Sequence, residues 1–232
     1  KLKLPQNDGS SMNSAKILKQ VRNNDLEMVA KRHYHNSLSY HNFDHIEDVF
    51  QYAGEICGEC DKEGLTINCS VVYLALLFHD AGYHENHNIY GHRTKESYSA
   101  YLAAAILREF HYDDQTIKKV SAAIVATEQN VTPETNEEKV VRAADLFGLA
   151  GEYSVFLSNA ISLKNEYEYL NKSRLSWANW KVMAIETVTS FISIKIELTQ
   201  YFQSKNGSSQ FKKEAKKNLE KLNLETRPVS LD

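Results

Sequence analysis

With 232 residues the chain suits one globule, which at that size can bury roughly 70–75% of the surface its unfolded form exposes and needs no staples to hold its core. A formal charge of −3 argues against a nucleic-acid polymer as partner and against an acidic tail, and no apolar run of 18 residues or signal-peptide core argues for a membrane. The cysteines are three, Cys57, Cys60 and Cys69; an odd count fits reduced thiols and a cytoplasmic protein better than a disulfide framework.

In chain order, "KLKLPQNDGSS" shows no periodicity, so residues 1–13 are read as a flexible arm or an expression remnant, with Met12 a candidate start. "SAKILKQVRNNDLEMVAKRH" predicts a first helix with Ile17, Val21, Leu26 and Val29 inward. "YHNFDHIEDVF" opens a second, in which Ile46, Val49, Phe50, Ala53, Ile56 and Cys57 follow the three-and-four spacing of one buried face. Cys57 and Cys60 have the spacing of half a zinc knuckle, but no second pair follows. "SVVYLALLFHDAG" is apolar around nearly its whole circumference until His79, which predicts a central buried helix ended by Gly82. The next stretch, "YHENHNIYGH", reads as a polar loop. Helices are expected over 94–110, 114–126, 136–149, 152–170 and 175–202; "SKNGSSQ" is a turn and "FKKEAKKNLEKL" a last amphipathic helix with solvated lysines. No repeat and no convincing strand occur. The expected fold is all-α, one domain over 14–224 followed by a tail, 225–232.

Charge burial points to a site. The central helix delivers His79 and Asp80 where water is scarce, and an unpaired buried carboxylate costs several kcal/mol out of the ~5–15 kcal/mol a domain has. Something cationic must stand beside Asp80, and a helix C-terminus favours a cation as well. His45 falls at the edge of the apolar face of its helix, and "VVRAADLFGLAG" places Asp145 in another mostly apolar helix. Two imidazoles with two carboxylates form a mixed nitrogen–oxygen set, which suits Mn²⁺, Fe²⁺, Co²⁺, Ni²⁺ or Zn²⁺ and Mg²⁺ less well.

The order His45, His79-Asp80, Asp145 resembles the H…HD…D signature of the HD superfamily of metal-dependent phosphohydrolases. The blocks "YHNFDHI", "LALLFHDAGY", "KESYSA", "ADLFGLAG", "KNEYEYL" and "KEAKKNLEKL" are similar, in order, to those of a bacterial family of predicted HD phosphohydrolases, from about Ser14 to Leu222. The resemblance implies a helical fold with a divalent metal on His45, His79, Asp80 and Asp145. Departures are Leu38-Ser39 where an arginine often stands, Ala143-Ala144 before Asp145 in place of a DxD arrangement, and no histidine after "AIVAT". "YHNFDHI" also resembles the tyrosine-histidine-asparagine block of cyclic-nucleotide phosphodiesterases, which implies a general acid at His41, one helical turn before His45.

The expected reaction is hydrolysis of a small phosphorylated molecule, a nucleotide foremost, by metal-bound hydroxide attacking phosphorus. Glu85 and Glu96 are candidates to orient the water or act as base, and His84 to join a second metal. Arg93, Lys95, Lys164 and Arg174 are candidate phosphate clamps. Two rival readings share the fold: a di-iron oxygenase, which needs more histidine ligands, and a regulatory domain that binds nucleotide or metal without catalysis.

Overall fold

A computed structural model describes residues 13–204 and 206–226, and over these it is helical with no strand element. The first predicted helix is two. Helix α1 covers Ser14–Gln20 and α2 Asn24–Lys31. The break falls at Asn23, whose side-chain oxygen accepts from the Leu26 N–H at 3.0 Å, an N-cap that competes with continuing the helix. Its own N–H donates to the Tyr73 hydroxyl at 2.9 Å, fixing the corner against the core.

Helix α3, Phe43–Lys62, is capped by Asn42 and buries Ile46, Val49, Phe50, Ala53, Ile56 and Cys57 as its spacing requires. Helix α4, Cys69–Phe78, runs through the centre with every residue from Val71 to Phe78 buried. Around it stand α1, α2, α3, α5 (Lys95–Glu109), α6 (Asp114–Val125) and α7 (Asn136–Leu146). Gly82 lies beyond the end of α4 at φ +74°, and a Cβ there would come within 2.7 Å of the Tyr98 ring. Only glycine lets the chain turn this tightly against α5. The loop that follows contains one short 3-10 turn, His87–Tyr90.

After α7 a 3-10 turn, Phe147–Ala150, leads to α8 (Tyr153–Asn171), α9 (Trp177–Ser193) and α10 (Gln210–Leu224). Helix α9 stops well short of the predicted 202. At Ile194 the backbone turns extended, and "IKIEL" alternates up to a left-handed residue at Glu197, with Ile196 and Leu198 buried and Lys195 and Glu197 exposed. That period of two belongs to extended chain, not helix.

Residues 1–12 and 227–232 lie outside the described residues, so most of the expected arm and tail does too. At 225 the chain is still tied down: the Glu225 carbonyl accepts from the Trp177 indole at 3.3 Å and from Lys181 Nζ at 2.7 Å. The three cysteines are free and buried. Among the described residues no single helix is long and apolar enough to cross a membrane.

Candidate metal centre

Three packed helices bring four side chains together. His45 lies in the first turn of α3, its backbone N–H held by the Asn42 cap. His79 and Asp80 follow the last residue of α4, and Asp145 sits in the last turn of α7. His79 Nε2 is 3.0 Å from Asp80 Oδ2 and 3.6 Å from Asp145 Oδ1; His45 Nε2 is 3.8 Å and 3.7 Å from the same atoms. His79 Nδ1 donates to the Leu76 carbonyl at 2.8 Å. That bond places the proton on Nδ1 and leaves Nε2 with a lone pair toward the cluster, as a metal-ligating histidine requires.

His45 Nε2, His79 Nε2 and Asp80 Oδ2 are buried with no hydrogen-bond partner. Orphaned buried polar atoms are costly, and three of them facing one point fit a cation there. Ligand atoms of His45, His79 and Asp145 all lie within 4.8 Å of one another; Asp80 stands at the edge of that trio, close to both imidazoles. Among the described residues, the groups within 4.0 Å of either carboxylate that can carry positive charge are these imidazoles. Burial pushes the Asp145 carboxyl up, but His45 and His79 pull it far below the usual carboxylate range. Asp80 is likewise held down, against burial, by His79 and His41. His79 is driven well above its ordinary value by Asp80 and Asp145 although burial opposes its charge. The cluster draws positive charge to itself, from protons or from a metal.

Arg142, one turn before Asp145, does not neutralise it. Fully buried, its Nη1 donates to the carbonyls of Ala126, Glu128 and Val131 at 2.7, 2.8 and 3.1 Å. This guanidinium fastens the loop after α6, whose Thr127 borders the site.

Beside the cluster opens a cavity of about 520 Å³, whose polar end is formed by His41, Asp80, Lys95, Glu96, Asp145 and Glu166. His41 lies in the bend before α3, not on a helical turn as the sequence implied, yet its ring is 6.2 Å from that of His45. It is placed by Glu166 of α8. One carboxylate oxygen accepts from the N–H groups of Tyr40 and His41 at 3.0 and 2.9 Å, and the other meets His41 Nδ1. The opposite face of the imidazole arrangement is set by Tyr83, stacked at 3.7 Å. Burial disfavours the His41 cation, but Asp80, Glu166 and Asp145 outweigh it and raise its pKa. Lys95 Nζ donates to the Tyr83 carbonyl and lies 3.7 Å from that ring's centroid, with burial lowering its pKa. Burial also raises the Glu96 carboxyl, despite its own backbone N–H, with Asp80 adding to the rise.

Other sequence candidates fall elsewhere. Glu85 accepts from the Tyr98 hydroxyl at 2.8 Å and does not line the cavity. His84 packs beside His35, 5.1 Å between ring centroids, and is not in the group of mutually close ligand atoms. Arg93 is exposed. Lys164 pairs with Glu168 at 2.8 Å, and Arg174, its side chain 97% exposed, reaches Glu168 at 3.9 Å. The reason for Lys164 is helical geometry. Residues two apart point to opposite sides of α8, so turning Glu166 to the cavity turns Lys164 away. Glu166 itself was in view within "KNEYEYL", but a carboxylate is not a phosphate clamp, and nothing in the sequence pairs it with His41.

Residues 42–148 match the family model described as HD domain. No curated protein matches the chain. The matched segment runs from the cap of α3 to the turn after α7 and contains His45, His79, Asp80 and Asp145, while α8, α9 and α10 lie beyond it. Through that segment, four converging side chains included, the chain is similar to the HD domain family.

Proposed function

We propose that the protein is a metal-dependent hydrolase of a small phosphate ester. The carrying observation is the convergence, from three helices, of two imidazoles and two carboxylates with three buried atoms unpartnered. The match of residues 42–148 to the HD domain, a family made up mostly of metal-dependent phosphohydrolases, supports the same reading. His45, His79, Asp80 and Asp145 would hold the ion, and the mixed donor set suits Mn²⁺, Fe²⁺, Co²⁺, Ni²⁺ or Zn²⁺ better than Mg²⁺. When bound, such an ion supplies Lewis acidity toward a phosphoryl oxygen and a water of lowered pKa.

The chain's own groups do the rest. Lys95 offers one positive charge to the phosphate. His41, protonated and held at Nδ1 by Glu166, presents Nε2–H to the leaving oxygen as general acid. Glu96, at the same end of the cavity, is placed to receive a proton from the attacking water. A nucleotide is the ester the family resemblance favours. His84, the extra ligand a di-iron oxygenase would use, stands outside the close group, so hydrolysis is the better reading.

The test is metal analysis of purified protein followed by phosphate release from mono-, tri- and cyclic nucleotides and simple esters with Mn²⁺, Co²⁺ or Ni²⁺ present. Release that is lost in Asp80→Ala supports the proposal. No release from any ester, or oxygen uptake with two irons bound per chain, overturns it.

A further inference from the structure

The cavity has a second half that the chemistry above does not use. Beyond the polar end its walls are the inner faces of α8 and α9. Phe156 and Leu163 stand on one side, and Trp180, Met183, Val188 and Phe191 on the other. The α9 residues follow the spacing of one helical face, yet Met183, Ala184, Val188 and Phe191 are only half-buried. Helix α9 packs on α10, and its inner face borders the cavity. An apolar helical stripe normally closes onto a neighbour; this one is held apart from α8 over a space continuous with the metal centre.

Among the described residues no charged side chain lines this half. Among the described residues the cationic side chains at the polar end are Lys95 and the protonated His41, the latter paired with Glu166 and committed to the leaving oxygen, which matches one phosphate and not a chain of them. Polar groups in the apolar half are few, and one of them, Asn171, already donates to the Tyr167 carbonyl at 2.8 Å. A sugar and base entering here would lose water from many donors and acceptors for little return, and unpaired polar groups are expensive. The Trp180 indole N–H is the one buried unpartnered polar atom on that wall among the described residues, room for a single acceptor.

Resting on the hydrolase reading, the geometry points to a narrower substrate class: phosphate monoesters whose alcohol half is a predominantly apolar chain or ring, seated between α8 and α9 with the phosphate at the metal centre.

The test uses metal-loaded protein and n-alkyl phosphates of two to eight carbons, with the 5′-mononucleotides alongside. The expected kcat/KM rises by about fourfold per methylene, the transfer free energy of one buried CH₂, and octyl phosphate exceeds every mononucleotide. Ala184→Trp and, separately, Thr187→Trp fill the chamber and flatten this length dependence. Ala178→Trp, on the exposed outer face of α9, leaves it intact. Calorimetry with octylphosphonate, which has no ester bond to cleave, gives a readout independent of turnover. It should bind on the order of 10³-fold more tightly than ethylphosphonate, six methylenes at about fourfold each, an advantage lost in Ala184→Trp. Should no ester be hydrolysed while octylphosphonate still binds and Ala184→Trp abolishes that binding, the chamber stands and the hydrolase reading falls. A flat alkyl series, or mononucleotides preferred over octyl phosphate, overturns this inference and leaves the hydrolase reading standing.

Discussion

Replacing Glu166 with Gln tests the acid assigned to His41. Glu166 is only 2% exposed and serves three donors: the N–H groups of Tyr40 and His41 on one oxygen, and His41 Nδ1 on the other. The glutamine carbonyl can keep the two backbone donors. Its amide then faces Nδ1, which must turn from donor to acceptor, so the imidazole is held neutral. The change forfeits one charge-assisted hydrogen bond, about 1.5–3 kcal/mol, and general-acid catalysis itself contributes roughly 10²–10⁴-fold. The expected kcat on an alkyl phosphate, whose alkoxide needs a proton to leave, falls by about 10–100-fold. On p-nitrophenyl phosphate, whose phenoxide departs without one, the loss stays within about threefold. The assay is steady-state phosphate release from both esters, with metal content measured on the same samples. An equal loss on both esters, or a loss that tracks metal content, refutes the reasoning.

His41→Asn should reproduce the leaving-group dependence of Glu166→Gln with metal content at the wild-type level; unchanged turnover removes His41 from the mechanism. In metal-free protein the His41–Glu166 pair should also leave a pH signature. The Glu166 carboxyl is lowered by His41 and two backbone N–H groups against the effect of burial, so its contribution is present above about pH 4.3 and fades as pH falls through the lower folded value. His41 is raised in the fold, so its contribution is complete below about pH 6.5 and fades as pH rises through the higher folded value. Thermal melts should therefore show the stability gap between wild type and Glu166→Gln widest between these limits; a gap constant from pH 3 to 9 contradicts the pairing. Arg142→Met strands the buried Ala126 carbonyl, takes a donor from the half-buried carbonyls of Glu128 and Val131, and should cost about 3 kcal/mol in denaturant unfolding. A cost below about 1 kcal/mol would show that the clamp is dispensable.

Much of this was legible before any coordinates. The buried face of α3 and the apolar circumference of α4 are plain periodicity, and the helical class follows from them. The convergence of His45, His79, Asp80 and Asp145 could be expected because each puts charge or an imidazole against an apolar pattern, a conflict that only a partner resolves. What escaped detection depends on distant contacts. Asn23 breaks the first helix through a cap and a bond to Tyr73, fifty residues away. The choice of Lys164 went wrong because a cation was sought near the phosphate, while the side chain facing the cavity is Glu166, fixed only by its meeting with His41, 125 residues earlier. The chamber between α8 and α9 was invisible for a related reason: apolar residues that line a cavity have the same spacing as residues that fill a core.

The account stands on the four side chains serving one ion. Protein stripped with chelator and titrated with Mn²⁺ in a calorimeter, wild type beside His79→Ala and Asp145→Ala, measures this directly. The wild type should bind about one ion per chain and gain about 2.7 kcal/mol of stability when free metal reaches a hundred times its Kd, with both variants losing that gain. A wild type that takes up no divalent ion, or variants that bind it equally well, would contradict the account.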